Sequence, residues 1–216
     1  MTNECFDGYK DIHKGYRAIL IGSGPTVKKF KDINDHNTAK IGVNEVLHLP
    51  IKLQYYFTGD SGPYRPEGYL SNKKIYHDYK PTIQKFIRTQ LWGKKGEVAQ
   101  DMKHAHYYEC NLGKELIRDI DTKPLNDCTC ISFEALQFIL FCGFSEIHLV
   151  GQDCNYEEGT FKTPSSNDEW HKKCGGAQIR QWEIASSHIE KYHPDTKVFS
   201  VRPVGLKGLF PESNIC

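Results

Sequence analysis

The sequence predicts an α/β protein: a mostly parallel sheet with helices on both faces and a long lid loop. Three observations predict it. Short apolar runs stop abruptly at glycine or polar residues, as Arg17–Ile21 does before Gly22 and Glu146–Val150 before Gly151. Runs with helical spacing stand between such strands, most clearly over 132–142 and 178–192. A region of about 23 residues, 154–176, carries neither period, and a loop of that length in a compact domain is usually functional.

Residues 1–16 are polar and aromatic without a clear period and read as a lead-in. Arg17–Ile21 is a buried strand ending at Gly22-Ser23-Gly24-Pro25, and 26–30 suits a short helix with Pro25 in its first turn. Further strands are expected at 40–43, stopping at Asn44, and at 53–58, stopping at Gly59-Asp60. A weaker one is expected at 74–76, a helix at 82–88 and a strand at Ala105–Tyr108. The run 132–142 is strongly apolar; Ser132 and Glu134 suit its start, and Gly143 suits its C-terminal cap. After the strand Glu146–Val150 and the loop 154–176, the helix 178–192 turns Ile179, Trp182, Ile189 and either Ile184 or Ala185 inward. Lys197–Val201 is the last strand. Strands alternating with helices give a parallel sheet, and the whole chain reads as a single Rossmann-like domain.

Composition narrows the function classes. The 216 residues are 38% hydrophobic and 25% charged, with 28 basic against 27 acidic side chains. That balance supplies no overall field for nucleic acid or a membrane surface, so an anionic ligand must be held by local geometry. No run approaches the roughly 20 apolar residues that span a bilayer. The first residues lack the basic flank and apolar core of a signal peptide, so the cytoplasm is the expected compartment. The eight cysteines show no zinc-finger spacing, since Cys128-Thr129-Cys130 is C-x-C, and they are expected to be mostly free thiols. His104 and His106 could share a metal on a strand, but no third ligand is evident, so no metal site is assigned.

In parallel sheets ligands bind beyond the carboxyl ends of the strands. Four of those ends carry glycine or polar residues: Gly22-Ser23-Gly24, Asn44, Gly59-Asp60 and Gly151-Gln152-Asp153. The G-x-G-P turn lets a backbone approach a ligand, and the N–H groups of a helix start attract anions. Its spacing is not that of a P-loop. A phosphate-bearing, nucleotide-type ligand is therefore expected there. Asn44 suits a hydroxyl or a base, and Asp60 and Asp153 suit a hydroxyl or a magnesium ion. His171 in the long loop suits a general base, because imidazole titrates near neutrality. Lys172 and Lys173 beside it suit a departing phosphate.

Three segments carry a resemblance: Ala18 to Thr26 with the G-x-G-P turn, the strand ending in Asn44, and the block from Cys130-Ile131-Ser132 through Gly143 to Gly151-Gln152-Asp153. The pattern resembles the bacterial lipooligosaccharide sialyltransferases of glycosyltransferase family 42. It also resembles the broader family of 6-hydroxymethyl-dihydropterin diphosphokinase-like proteins and flagellin-glycosylation accessory factors. The first resemblance implies metal-independent, inverting transfer from a CMP-linked sugar to a hydroxyl acceptor such as a glycan. It implies donor contacts from the turn Gly22-Ser23-Gly24-Pro25, from Asn44 and from Ser132, with no cofactor; the strand-end reading adds Gly59, Asp60, Gly151 and Asp153 as donor contacts, and the loop adds Lys172. Ser23 stands where that family often has Asn, and Ser132 matches its Thr-Ser-Gly. The tyrosines that would stabilise the leaving phosphate fall near Asn155 or Tyr156 and near Phe161, and His171 takes the place of the base. The second resemblance implies ATP, magnesium at Asp60 and Asp153, and pyrophosphoryl transfer to a pterin-like alcohol. A nucleotide-binding module without catalysis is the third reading. Self-association stays open.

Overall fold

The computed structural model describes residues 4–59, 82–91, 94–95, 105–155, 159 and 169–215; the side chains of 90, 91, 94, 95 and 169–172 lie outside that description. The main sheet has seven strands: β1 (Arg17–Ile21), β2 (Thr38–Val43), β3 (Tyr55–Thr58), β4 (Gln84–Arg88), β5 (Ala105–Tyr108), β6 (Glu146–Val150) and β7 (Lys197–Val201). All six pairings are parallel, in the order β7-β6-β1-β2-β3-β4-β5. The chain steps outward from β1 to β5, then crosses back to lay β6 on the other side of β1. The strand order thus reverses between β1 and β6, the place where such sheets open a crevice at their carboxyl edge.

Alternation along the strands sends side chains to both faces. Ala18 and Leu20 of β1 join the core under the two long helices, while Ile19 and Ile21 join a second core on the opposite face. The first face is covered by α1 (Ile131–Phe141) and α2 (Glu169–Tyr192). All 11 residues of α1 are buried, as befits a helix enclosed between sheet, neighbouring helix and loops. Trp182 and Ala185 of α2 are fully buried and Ile189 nearly so, whereas Ile184 is exposed. Ala185 is therefore the inward choice. The second face is covered by short 3-10 helices, Pro25–Lys29 and Asn44–His48, through Val27, Val46 and Leu47.

Three expectations change. The segment 82–88 is a strand, not a helix. Ile83, Phe86 and Ile87 stand at a spacing one helical face would also gather, but the sheet sends Phe86 to one core and Ile83 and Ile87 to the other. Phe86 stacks on Phe57 at 4.7 Å and on Phe6 at 5.2 Å, contacts that only the strand geometry allows. The lead-in is part of the core: Phe6 is fully buried, and the backbone N–H groups of Asp11 and His13 donate to Phe141 and Cys142 at the end of α1. The loop expected over 154–176 gives way to helix at Glu169, so His171 and Lys172 are helical in backbone. Gly175-Gly176 reads as a stop because each glycine weakens a helix by about 1 kcal/mol. Packing of Trp182 against Phe133 and a hydrogen bond from Gln181 Nε2 to the Lys114 carbonyl anchor the helix beyond that point. The strand expected at 74–76 lies outside the described residues.

The free edge of β7 is covered by the C-terminal segment, through Ser200 N–H to the Pro211 carbonyl and Ser213 N–H to the Ser200 carbonyl, both at 2.9 Å. Cys5, Cys110, Cys128, Cys130, Cys142 and Cys154 are free thiols. Among the described residues no helix is long and apolar enough to cross a membrane.

Candidate nucleotide-binding cleft

A solvent-open cleft lies at the carboxyl edge of β1, β2 and β6, where the strand order reverses. The parallel register makes this possible: Ile21 is level with Val150 on one side and Gly42 on the other, so the three following turns emerge at one height. Gly22, Ser23, Gly24, Asn44, Ser132, Gly151 and Asp153 all line it. Cys130, Gln152, Cys154, Asn155 and Gln178 join them. Pro25 and Gly59 are not among the lining residues. Asp60, Tyr156 and Phe161 lie outside the described residues, as do the side chains of His171 and Lys172.

The glycine turn is built differently from the expectation. A Cβ on Gly24 would stand 2.5 Å from the Asp153 carboxylate, and one on Gly22 would stand 2.6 Å from both the Gly151 carbonyl and Gln152 Nε2. Gly151 itself has φ +63°, and a Cβ there would meet the Gly22 carbonyl at 2.5 Å. The glycines are needed so that the turns after β1 and β6 can press together. Gly24 N–H donates to the Gly151 carbonyl at 2.8 Å. Asp153, 5% exposed, then accepts the backbone N–H of Thr26 at 2.9 Å and the Thr26 hydroxyl. An internal carboxylate thus occupies the first turn of the 3-10 helix, where an anionic ligand was expected. Gly59 makes room for the Arg88 guanidinium in the same way.

Asn44 ends β2 with φ +48°, the left-handed region that Asn tolerates better than most residues. Its Oδ1 accepts the Thr58 hydroxyl at 3.2 Å and its carbonyl accepts the Tyr56 hydroxyl at 2.9 Å, which hold the turn and aim the Nδ2 end away from Thr58. Cys154 (φ +50°) repeats this strained geometry at the cleft, and Cys128 (φ +44°) and Thr129 (φ +82°) lead into its Cys130 wall. Backbone of that kind persists only where the surroundings over-determine it.

The third wall is the start of α1. Cys130 is its N-cap without a side-chain capping bond, and Ser132 is the second helical residue rather than the cap. Its hydroxyl, 4% exposed, donates instead to Gln152 Oε1 at 3.0 Å. Glu134, two residues on, faces the other way: Arg88 Nη1 donates to it at 2.7 Å, and the Tyr108 hydroxyl donates to its other oxygen. Burial pushes the Glu134 carboxyl up, against the opposing pull of Arg88. The helix start is therefore held from both halves of the sheet. Burial also holds the Cys130 thiol at about 11, protonated at neutral pH.

Among the described lining residues the ionisable groups are Asp153 and the two thiols, and none is a cation. Cys130, Ile131 and Ser132 bring the N-terminus of α1, the positive end of that helix's dipole, to the cleft wall. The rest of the lining is hydroxyl and carboxamide, suited to hydroxyl-rich or heteroaromatic ligands through directed hydrogen bonds. Both Asp153 oxygens accept from Thr26, which ties this carboxylate to the fold. Sequence reasoning missed Gln152 and Gln178 as lining residues. Gln152 sits inside a motif already singled out, and Gln178 is brought in by the helix that begins early.

No protein-family model matches the chain. No curated protein sequence matches it. Several solved chains are similar to it, two of them structures of one enzyme. One is the sialyltransferase CstII from Campylobacter jejuni in complex with a substrate analogue, cytidine-5'-monophosphate; it is 13% identical, with a TM-score of 0.45 over 87% of this chain and 80% of that one. The other is CstII with CMP-3FNeuAc, 13% identical, with a TM-score of 0.46 over 93% and 89%.

Proposed function

We propose that the chain is a glycosyltransferase that moves a sugar from a nucleotide-activated, CMP-linked donor to a hydroxyl acceptor with inversion. The observation that carries this reading is the convergence of the β1, β2 and β6 ends and the α1 start on one polar cleft at the strand-order reversal. The cytidine part of the reading rests on the sequence resemblance to family 42.

In this reading the Asn44 amide and the Ser132 hydroxyl bind the donor by hydrogen bonds, and the α1 N-terminus faces its negative charge. The turn Gly22-Ser23-Gly24 forms the cleft floor rather than a phosphate cradle, since the Gly22 and Gly24 N–H groups donate to the Val150 and Gly151 carbonyls and Asp153 takes the Thr26 N–H that follows. His171 takes the acceptor proton as the acceptor oxygen attacks the anomeric carbon, and the bond to the phosphate oxygen breaks on the opposite side. Tyr156 and Lys172 assist phosphate departure. The family 42 resemblance implies metal-independent transfer, so transfer is expected to need no metal; the magnesium-dependent diphosphokinase is the alternative reading.

A thermal-shift series with CMP, UDP, GDP and ATP, each with and without magnesium, tests the ligand. CMP should raise the midpoint independently of magnesium, by the equivalent of about 2.7 kcal/mol at a hundredfold excess over Kd. A response confined to ATP with magnesium would overturn the proposal. His171→Ala should abolish transfer while CMP binding persists, and turnover retained in that variant removes His171 as the base. Transfer from a CMP-linked donor should survive EDTA.

A further inference from the structure

Gln152 carries a mismatch at the cleft. Its Oε1 accepts the Ser132 hydroxyl at 3.0 Å, while its Nε2 is buried with no hydrogen-bond partner. The amino end stands against Gly22, where a Cβ would lie 2.6 Å away. A buried donor without an acceptor is costly, and a carboxamide can lower that cost by presenting its other end. Turned over, Nε2 donates to Ser132 Oγ and the oxygen lies against Gly22, whose N–H is already given to the Val150 carbonyl, so an open acceptor, which interiors tolerate better than an open donor, replaces the open donor. The Ser132 hydroxyl, no longer spent on Gln152, then has its proton free for the cleft that both residues line.

We propose that Gln152 is a positioning residue that sets the hydrogen-bond polarity of Ser132: when an acceptor oxygen of a ligand enters the cleft, the Gln152 amide turns and Ser132 becomes a donor to that ligand. The inference rests on the nucleotide reading of the cleft. It assigns a role to a side chain that no motif required. The drive is the unsatisfied Nε2, and the consequence is selectivity for a ligand that offers an acceptor, not a donor, to Ser132. A glutamate at this position can only accept when ionised, so it would lock the Ser132 proton away from the ligand.

A double-mutant cycle on CMP binding by calorimetry tests this, using Gln152→Glu, Ser132→Ala and the double variant. Gln152→Glu should weaken CMP by about tenfold, the size of one hydrogen bond to a charged group. In the Ser132→Ala background the same change should cost almost nothing, because there is no hydroxyl left to misdirect. An undiminished loss in that background would mean that the new charge repels CMP directly, and the inference fails. Should Gln152→Glu not fold, Gln152→Met takes its place. That variant leaves the Ser132 hydroxyl free to rotate, so CMP should weaken only about threefold, and not at all in the Ser132→Ala background; equal losses in both backgrounds overturn the inference. A wild-type protein that binds no cytidine nucleotide removes the nucleotide reading and this inference together. Binding with additive losses removes the inference alone.

Discussion

At the scale of single residues, the cleft shows how one motif can serve the fold before it serves a ligand. Gly22, Gly24 and Gly151 are where side chains would collide with the neighbouring turn, and Asp153 takes the N–H and the hydroxyl of Thr26 just after it. Gly24→Ala should therefore destabilise by about 1–3 kcal/mol through overpacking, although its φ of −61° suits any residue. Urea unfolding measures that loss, and adding Asp153→Ala to the same chain should cost less than the two changes summed, because the carboxylate that the new methyl strikes is gone. Asp153→Ala alone strands the Thr26 N–H and hydroxyl and should cost about 1–3 kcal/mol. The glycine turn was legible in the sequence as a turn. What it makes room for was not, because a glycine records the absence of a side chain and not the identity of its neighbour.

At the scale of elements, α1 is fixed by opposite side chains of its first turn. Ser132 bonds to the turn after β6, and Glu134 bonds to Arg88 at the end of β4 and Tyr108 at the end of β5. Glu134 is fully buried and the Arg88 side chain is 16% exposed, so this is an interior ion pair. Breaking such a pair from one side leaves a charge uncompensated, and Arg88→Ala should cost about 3–5 kcal/mol. Glu134→Gln, which keeps the shape without the charge, should cost less; a larger loss for Glu134→Gln than for Arg88→Ala would contradict the arrangement. Strand β4 shows why element type can escape sequence reasoning. Ile83 just before it and Phe86 and Ile87 within it suit a helical face as well as a strand over so short a window, and the two cores on either side of the sheet decide between them. In α1 and β6 the pattern is long or uniform enough that sequence and structure agree to within a residue or two.

For the whole molecule, stability should be confined to a window of pH. Burial holds His13, His148 and His193 below the ordinary 6.5, and His188 at about 4, with His193, Arg118 and Lys191 adding to the effect there. These imidazoles bind protons more weakly folded than unfolded, so their contribution is present above about pH 6.5 and is lost as pH falls toward 4. Glu134, raised by burial, opposes this in part, since its contribution shrinks as pH rises from 4.5. On the alkaline side burial raises the Cys5 thiol to about 12 and Cys130 to about 11, so their contribution is present below 9.0 and lost above it. Urea midpoints measured from pH 4 to pH 10 should peak between about 7 and 8.5. A midpoint that rises steadily from pH 7 down to pH 5 would show that these histidines are not buried as neutral groups.

The amino-acid sequence alone determined the alternation of β1, β2, β6, β7 and the long helices, and with it the sheet edge on which polar strand ends must gather. Those features follow from apolar periodicity and from turns that only glycine or asparagine accommodates, both local properties of the chain. The tertiary structure decided which ends share a cleft and which are consumed by the fold. Asn44, Ser132 and Gln152 meet across the reversal of strand order, whereas Asp153 is claimed by Thr26 and Gly59 by Arg88. Those outcomes depend on contacts between residues apart in sequence, 127 positions apart for Thr26 and Asp153, and no local pattern encodes a partner at such a distance.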